Sequence, residues 1–176
     1  MATLVIMAVP EESQGLFEKA GYNVFYTGMG MVKACFHLSQ LIQKHNPQQV
    51  INLGTAGSHH YAPGFVVECT AFVQRAPSNF LPLPSKKILT TALTNLTPVV
   101  CGSADFVENQ KPVTSCDIFD MEAYALAYCC QELQIPFHSI KCISDRSDES
   151  TLKDWKKNLA LSAQQLLTEI KKINLS

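Results

Sequence analysis

CDIFDMEAYALAYCCQEL, residues 116–133, reads as a short strand running straight into a helix. Ile118 and Phe119 lead in, and AYALAYCC (123–130) leads out without a charge. Asp120 and Glu122 therefore sit in a stretch built for burial, where a carboxylate is costly unless it is paired or hydrogen-bonded. Two explanations fit. Both acids could serve a strand-to-helix junction, where N–H groups and the helix dipole stabilise negative charge. Alternatively Glu122 is aimed at a polar ligand, with Met121 lining the same pocket.

Outward from this junction the same unit recurs. TLVIMAV (3–9), NVFYTG (23–28), QQVINLGTAG (48–57), GFVVECTAFVQ (64–74), PVVCGS (98–103) and FHSIKCISD (137–145) are apolar, β-rich runs. Helices are expected from Pro10 to about Ala20, over VKACFHLSQLIQKH (32–45), over KILTTALTNL (87–96) and over LKDWKKNLALSAQQLLTEIKKI (152–173). RAPSNFLPLPSKK (75–87), with three prolines, reads as an irregular loop. Strands that are apolar throughout, alternating with helices, predict an α/β protein with a mostly parallel sheet covered on both faces. In such sheets ligands bind at the carboxyl ends of the strands. Those ends carry two glycine turns, GMG (28–30) and GTAG (54–57), and the acids Glu12, Glu122 and Asp145.

Composition narrows the function classes. The 176 residues, 47% hydrophobic and 16% charged, suit one globular domain spanning 1–176. A formal net charge of −1 argues against nucleic acid or a membrane surface as partner. The N-terminus MATLVIMAVPEE lacks a basic region and turns acidic where a cleavage site would sit, so it is expected to be a first strand rather than a leader. Seven scattered cysteines with no CxxC spacing read as buried thiols of a reducing, cytoplasmic protein. His59-His60 lacks a third spaced ligand, so no metal is expected.

Several chemistries drop out. GMGMVK lacks the GKS/T ending of a P-loop, its GxGxxG pattern is broken at Lys33, and no GxSxG occurs. What remains is acid–base work by Glu12, Glu122 and Asp145. Cleaving an N-glycosidic bond requires this equipment: an acid for the leaving base, an oriented water on the other face of a cationic sugar, and a carboxylate for vicinal hydroxyls.

GMGMVKA, INLGTAG, DFV, FDMEA and CISD, in that order, resemble the nucleoside phosphorylase superfamily, especially its branch of methylthioadenosine/S-adenosylhomocysteine nucleosidases and futalosine hydrolases. The resemblance spans residues 3 to about 165. It implies a three-layer α/β/α fold with a central mixed, mostly parallel twisted sheet, and hydrolysis of an adenosine-type nucleoside to free base and sugar. It also implies that Asp145 protonates or hydrogen-bonds N7 of the departing purine and that Glu12 activates the water. Glu122 would bind ribose hydroxyls, Met121 would pack on the sugar, and Thr55 would stand near ribose and water. Phe106 would face the base, and the Val107 backbone would read the purine edge. No cofactor is implied, and the assembly would be a homodimer. Lys141 stands where relatives often have arginine, and the chain is short around 75–97. Asp120 carries no implied chemistry and is expected to be structural. Two alternatives remain open: a phosphorylase using phosphate as nucleophile, and a trimmed homologue that binds a nucleoside without cleaving it. The arginines with which related phosphorylases hold phosphate are replaced by Asn52-Leu53 and Pro10-Glu11-Glu12.

Overall fold

A computed structural model describes residues 3–75, 86–107 and 115–173. The chain runs β1 (Thr3–Met7), α1 (Pro10–Ser13), α2 (Leu16–Lys19), β2 (Val24–Tyr26), α3 (Met31–His45), β3 (Gln49–Gly57) and β4 (Val66–Gln74). It continues through β5 (Ile88–Leu89), β6 (Thr97–Ser103), β7 (Ile118–Asp120), α4 (Ala123–Glu132), β8 (Phe137–Asp145) and α5 (Thr151–Ile170).

The strands form one mixed sheet in the order β2-β1-β3-β7-β6-β4-β5, with β8 lying between β3 and β4. Pairings are parallel at β1/β2, β1/β3, β3/β8, β4/β6 and β6/β7, and antiparallel where β4 meets β5 and β8. A single antiparallel bridge, Gly57 to Phe119, joins β7 back to β3. The ladder β3–β8–β4–β6–β7 thus returns on itself, which gathers these strand ends around one point.

Both faces are buried. In β1, Leu4 and Ile6 join one core cluster with Ala34 and Leu38 of α3 and with Leu126 of α4. Val5 and Met7, pointing the other way as strand alternation requires, join Phe17 of α2 and Leu166 and Ile170 of α5. This is the three-layer α/β/α arrangement that the apolar strands predicted.

Two expected helices are corrected. The one from Pro10 to about Ala20 is broken in two, because Gln14 and Gly15 adopt left-handed backbone at φ 51° and 66°. The break confines Glu12 to a single turn. The second, over 87–96, is absent: Ile88–Leu89 pairs with the edge of β4 and bends follow. Glu68, buried on β4, explains this. Its carboxylate accepts the Leu93 and Thr94 N–H groups at 2.6 and 2.9 Å and the Thr94 hydroxyl at 2.5 Å. That tertiary anchor outcompetes a helix weakened by Thr90, Thr91 and Thr94. Most of the proline-rich stretch expected to be a loop lies outside the described residues. Five of the seven cysteines are buried and two half-buried.

Candidate active site

Glu12, Thr55, Phe106, Val107, Met121, Glu122 and Asp145 all line one cleft of about 150 Å³ at the carboxyl ends of the strands. Its floor is polar. Glu12 enters from α1, where Pro10 starts the turn and the Glu12 N–H returns to Val9 O at 3.1 Å. One carboxylate oxygen accepts the Thr55 N–H and hydroxyl, both at 2.7 Å, and the other accepts the Ala8 N–H at 3.2 Å. The Trp155 ring N–H of α5 in turn donates to the Thr55 oxygen at 3.0 Å. Thr55 is thus engaged in holding Glu12.

Lys141 lies beside Gly54 in the β3/β8 register. A Cβ on Gly54 would come within 3.1 Å of a Glu12 oxygen and 3.2 Å of the Lys141 Nζ, so this glycine is what lets acid and cation crowd one strand. Lys141 is 2% exposed and pairs with Asp120 at 2.9 Å. Burial alone would depress its ammonium, but Asp120, Glu12 and Glu122 together raise it well above the usual lysine range. Lys141 therefore stays charged, paired with Asp120 and close enough to Glu12 and Glu122 to feel all three acids.

Those three acids are not equivalent. Burial pushes Asp120 up, yet Lys141, the Ser103 hydroxyl and the Ala123 N–H together hold it below the usual carboxylate range. Glu122 moves the other way: burial, and then the negative charge of Asp120, push it up to about 8 against the pull of Lys141. Its carboxyl accepts the Gly30 N–H at 2.8 Å, at a glycine whose φ of 94° other residues rarely adopt. Asp120 serves the helix start and the ion pair, and Glu122 faces the cleft.

Asp145 ends β8. A register shift opposite Ala56 and Gly57 leaves Ser144 unpaired between Ile143 and Asp145, and such a bulge re-aims the side chains at a strand end. Asp145 accepts the Ser147 N–H at 3.0 Å, the Thr151 hydroxyl at 3.2 Å and the Ser144 hydroxyl at 2.7 Å. Only glycine fits at 57, because a Cβ there would lie 2.6 Å from an Asp145 oxygen.

The rest of the cleft is apolar. Phe106 and Phe119 form one wall with Arg75 against their rings, and Met29, Val107 and Leu152 form the mouth. Glu11, Lys33 and Arg146, three charged residues near the predicted pocket, do not line it. Sequence reasoning missed Arg75 and Trp155, and it treated Lys141 only as a replacement for arginine. The one available signal was a lysine inside the apolar run FHSIKCISD.

A family model for the phosphorylase superfamily matches residues 99–173, which include Phe106, Met121, Glu122 and Asp145. A solved methylthioadenosine/S-adenosyl homocysteine nucleosidase of Helicobacter pylori superposes with a TM-score of 0.80, over 98% of this chain and 99% of that one, at 20% identity. The chain has the phosphorylase-superfamily fold. The futalosine hydrolase of the same organism gives a TM-score of 0.81 over 98% of each chain, at 19% identity. In sequence, the chain is 25% identical to the 5′-methylthioadenosine/S-adenosylhomocysteine nucleosidase of Haemophilus ducreyi over 187 residues, covering 86% of this chain and 79% of that protein. Glu12 and Thr55 fall outside the family-model match.

Proposed function

We propose that the protein is a purine nucleoside hydrolase, cleaving the N-glycosidic bond of an adenosine-type nucleoside to free base and sugar. The observation that carries this reading is the floor of the cleft. Glu12, locked by Thr55 and Ala8, shares one small cavity with Glu122 and Asp145.

In this reading the base lies against Phe106, with the Val107 backbone at its edge and the sugar on Met121. Asp145 gives a proton to N7 as the bond from C1′ to the base breaks. Glu12 takes a proton from water as the new C1′–O bond forms on the other face. Glu122, protonated near neutrality, donates to one ribose hydroxyl and accepts from the other. Lys141 balances the negative charge that this floor would otherwise concentrate. The nucleosidase and hydrolase names of the similar proteins point the same way.

Hydrolysis is preferred to phosphorolysis on charge. Among the described residues that line the cleft, a phosphate dianion would meet the carboxylates of Glu12, Asp120 and Asp145 against the guanidinium of Arg75. The test is a product assay across nucleosides bearing methylthio, homocysteinyl, futalosine-type or plain 5′ groups. Free base and free sugar at a rate indifferent to added phosphate are expected. Sugar 1-phosphate as the main product would make the protein a phosphorylase.

We take the working form to be a cytoplasmic homodimer. Val32 and Phe36 of α3, 78% and 58% exposed, and Tyr128 of the adjoining α4 supply an apolar face for a second copy. Light scattering of the purified protein tests it. No helix among the described residues is long and apolar enough to cross a membrane.

A further inference from the structure

Arg75 lines the cleft, yet the chemistry above gives it no part. It follows the last residue of β4 and is 3% exposed. Strand β6 holds it twice: its backbone N–H donates to Ser103 O at 2.8 Å, and its Nε donates to Gly102 O at 3.0 Å. Its stem lies flat over Gly102, where an added Cβ would come within 2.7 Å of its Cδ and 2.9 Å of its Cγ. The guanidinium carbon then sits 5.0 Å from the centre of the Phe106 ring and 5.2 Å from that of Phe119. A buried guanidinium is costly, and two aromatic faces offset part of that cost. Phe119 is also met edge-on by His59 at 5.2 Å.

We propose that Arg75 is a positioning residue for substrate, fixing Phe106 and Phe119 as a rigid wall against which the planar base of the nucleoside stacks. This rests on the reading of the substrate as a purine nucleoside. Phe106 is half-buried and follows β6 outside any strand or helix, so regular backbone hydrogen bonding does not fix its ring. A cation held by β6 against that ring supplies the missing constraint. The wall is then formed before the ligand arrives, and binding does not spend free energy on ordering it. Stacking on the base is made equally in ground and transition states, so its loss appears in KM rather than kcat.

The experiment compares wild type with Arg75→Met, which keeps length without charge, and Arg75→Lys, which keeps charge without the plane. Arg75→Met is expected to raise KM for the cleaved nucleoside about tenfold with kcat within about twofold, and Arg75→Lys to raise KM about threefold. In a Phe106→Leu background, Arg75→Met should add at most about a twofold further change, because the ring it positions is gone. A full tenfold effect in that background, or a fall in kcat at constant KM, overturns the proposal. If Arg75→Met does not fold, Arg75→Lys decides, and a wild-type KM there overturns it. Calorimetry with adenine separates the two levels of inference. Wild type that binds adenine, more weakly in Arg75→Met, but cleaves no nucleoside upholds the wall and overturns the hydrolase reading. Wild type that cleaves a nucleoside with KM unchanged by Arg75→Met overturns the wall alone, and wild type that neither binds nor cleaves overturns both.

Discussion

At the floor of the cleft Glu12, Asp120, Glu122 and Lys141 are each less than a tenth exposed, whereas Met29, Val107 and Leu152 at its mouth are 46%, 44% and 64% exposed. Floor residues are fixed by hydrogen bonds and an ion pair drawn from β3, β6, β7, α4 and β8. Mouth residues touch solvent and contribute apolar surface. In a low-dielectric floor each charge depends on its neighbours, so one substitution disturbs several groups. At the mouth, contacts are few and substitutions should act singly. The comparison predicts large, coupled effects on fold and turnover below, and small, separable effects on affinity above.

Lys141→Met should have the largest effect. It strands Asp120 in a buried site beside Glu12 and Glu122, and removing one partner of a buried pair costs about 3–5 kcal/mol. Denaturant midpoints would show this. Adding Asp120→Asn to Lys141→Met should restore part of the loss, because the uncompensated charge goes too. Equal stability of Lys141→Met and wild type would mean that the floor is not a coupled unit.

Glu12→Gln comes next, with turnover down on the order of 10³-fold, and Asp145→Asn follows at roughly 100-fold, both with the fold retained. Stopped assays for free base, with circular dichroism as control, check this. A Glu12→Gln variant as active as wild type would leave the water without an identified base and remove the floor's main claim to chemistry.

How much of this was legible in the sequence follows the same division. Apolar runs ending in glycine or acid marked the strands and placed Glu12, Glu122 and Asp145 at one edge, because strand alternation and strand ends are local signals. FDMEA displayed its buried acids for the same reason. The partners were not local. Trp155 reaches Thr55 from 100 positions away, and Glu68 anchors residues 93 and 94, overruling the helix expected there. Arg75 opened what reads as a loop, and nothing nearby in sequence foretells two aromatic rings around it. Side chains that carry charge were visible; what neutralises or holds them was set by tertiary packing.

The unequal titration of the floor gives a smaller effect. Glu122 titrates at about 8 in the folded protein against 4.5 for a free glutamate. Between those values the native state keeps a proton that the unfolded state has released. Stability from this group is therefore complete below about pH 4.5 and is lost as pH rises through about 8, with a slope of at most about 1.4 kcal/mol per pH unit. Glu122→Gln, permanently neutral, should flatten that slope across this window, whereas Asp120→Asn, which removes only the second push on Glu122, should narrow the window from its upper end. Denaturation at a series of pH values reads it directly, and an unchanged slope in Glu122→Gln would place the retained proton elsewhere.

Leu152→Ser should have the smallest effect, and it tests the mouth alone. Leu152 is the second residue of α5, next to Thr151, whose hydroxyl reaches Asp145, so it stands beside the floor without joining it. At 64% exposure its loss should change stability by no more than about 0.5 kcal/mol. Any 5′ group extending past the ribose toward Met29, Val107 and Leu152 meets apolar surface, so an alkylthio substituent is better served there than a plain hydroxyl. Partial desolvation of one leucine is worth on the order of 0.5–1 kcal/mol. Leu152→Ser should therefore raise KM a few-fold for a 5′-alkylthio nucleoside and leave KM for adenosine unchanged, with kcat constant for both. A parallel fall in kcat for both substrates would show that mouth and floor are coupled through Thr151, and the division between them would fail at that residue.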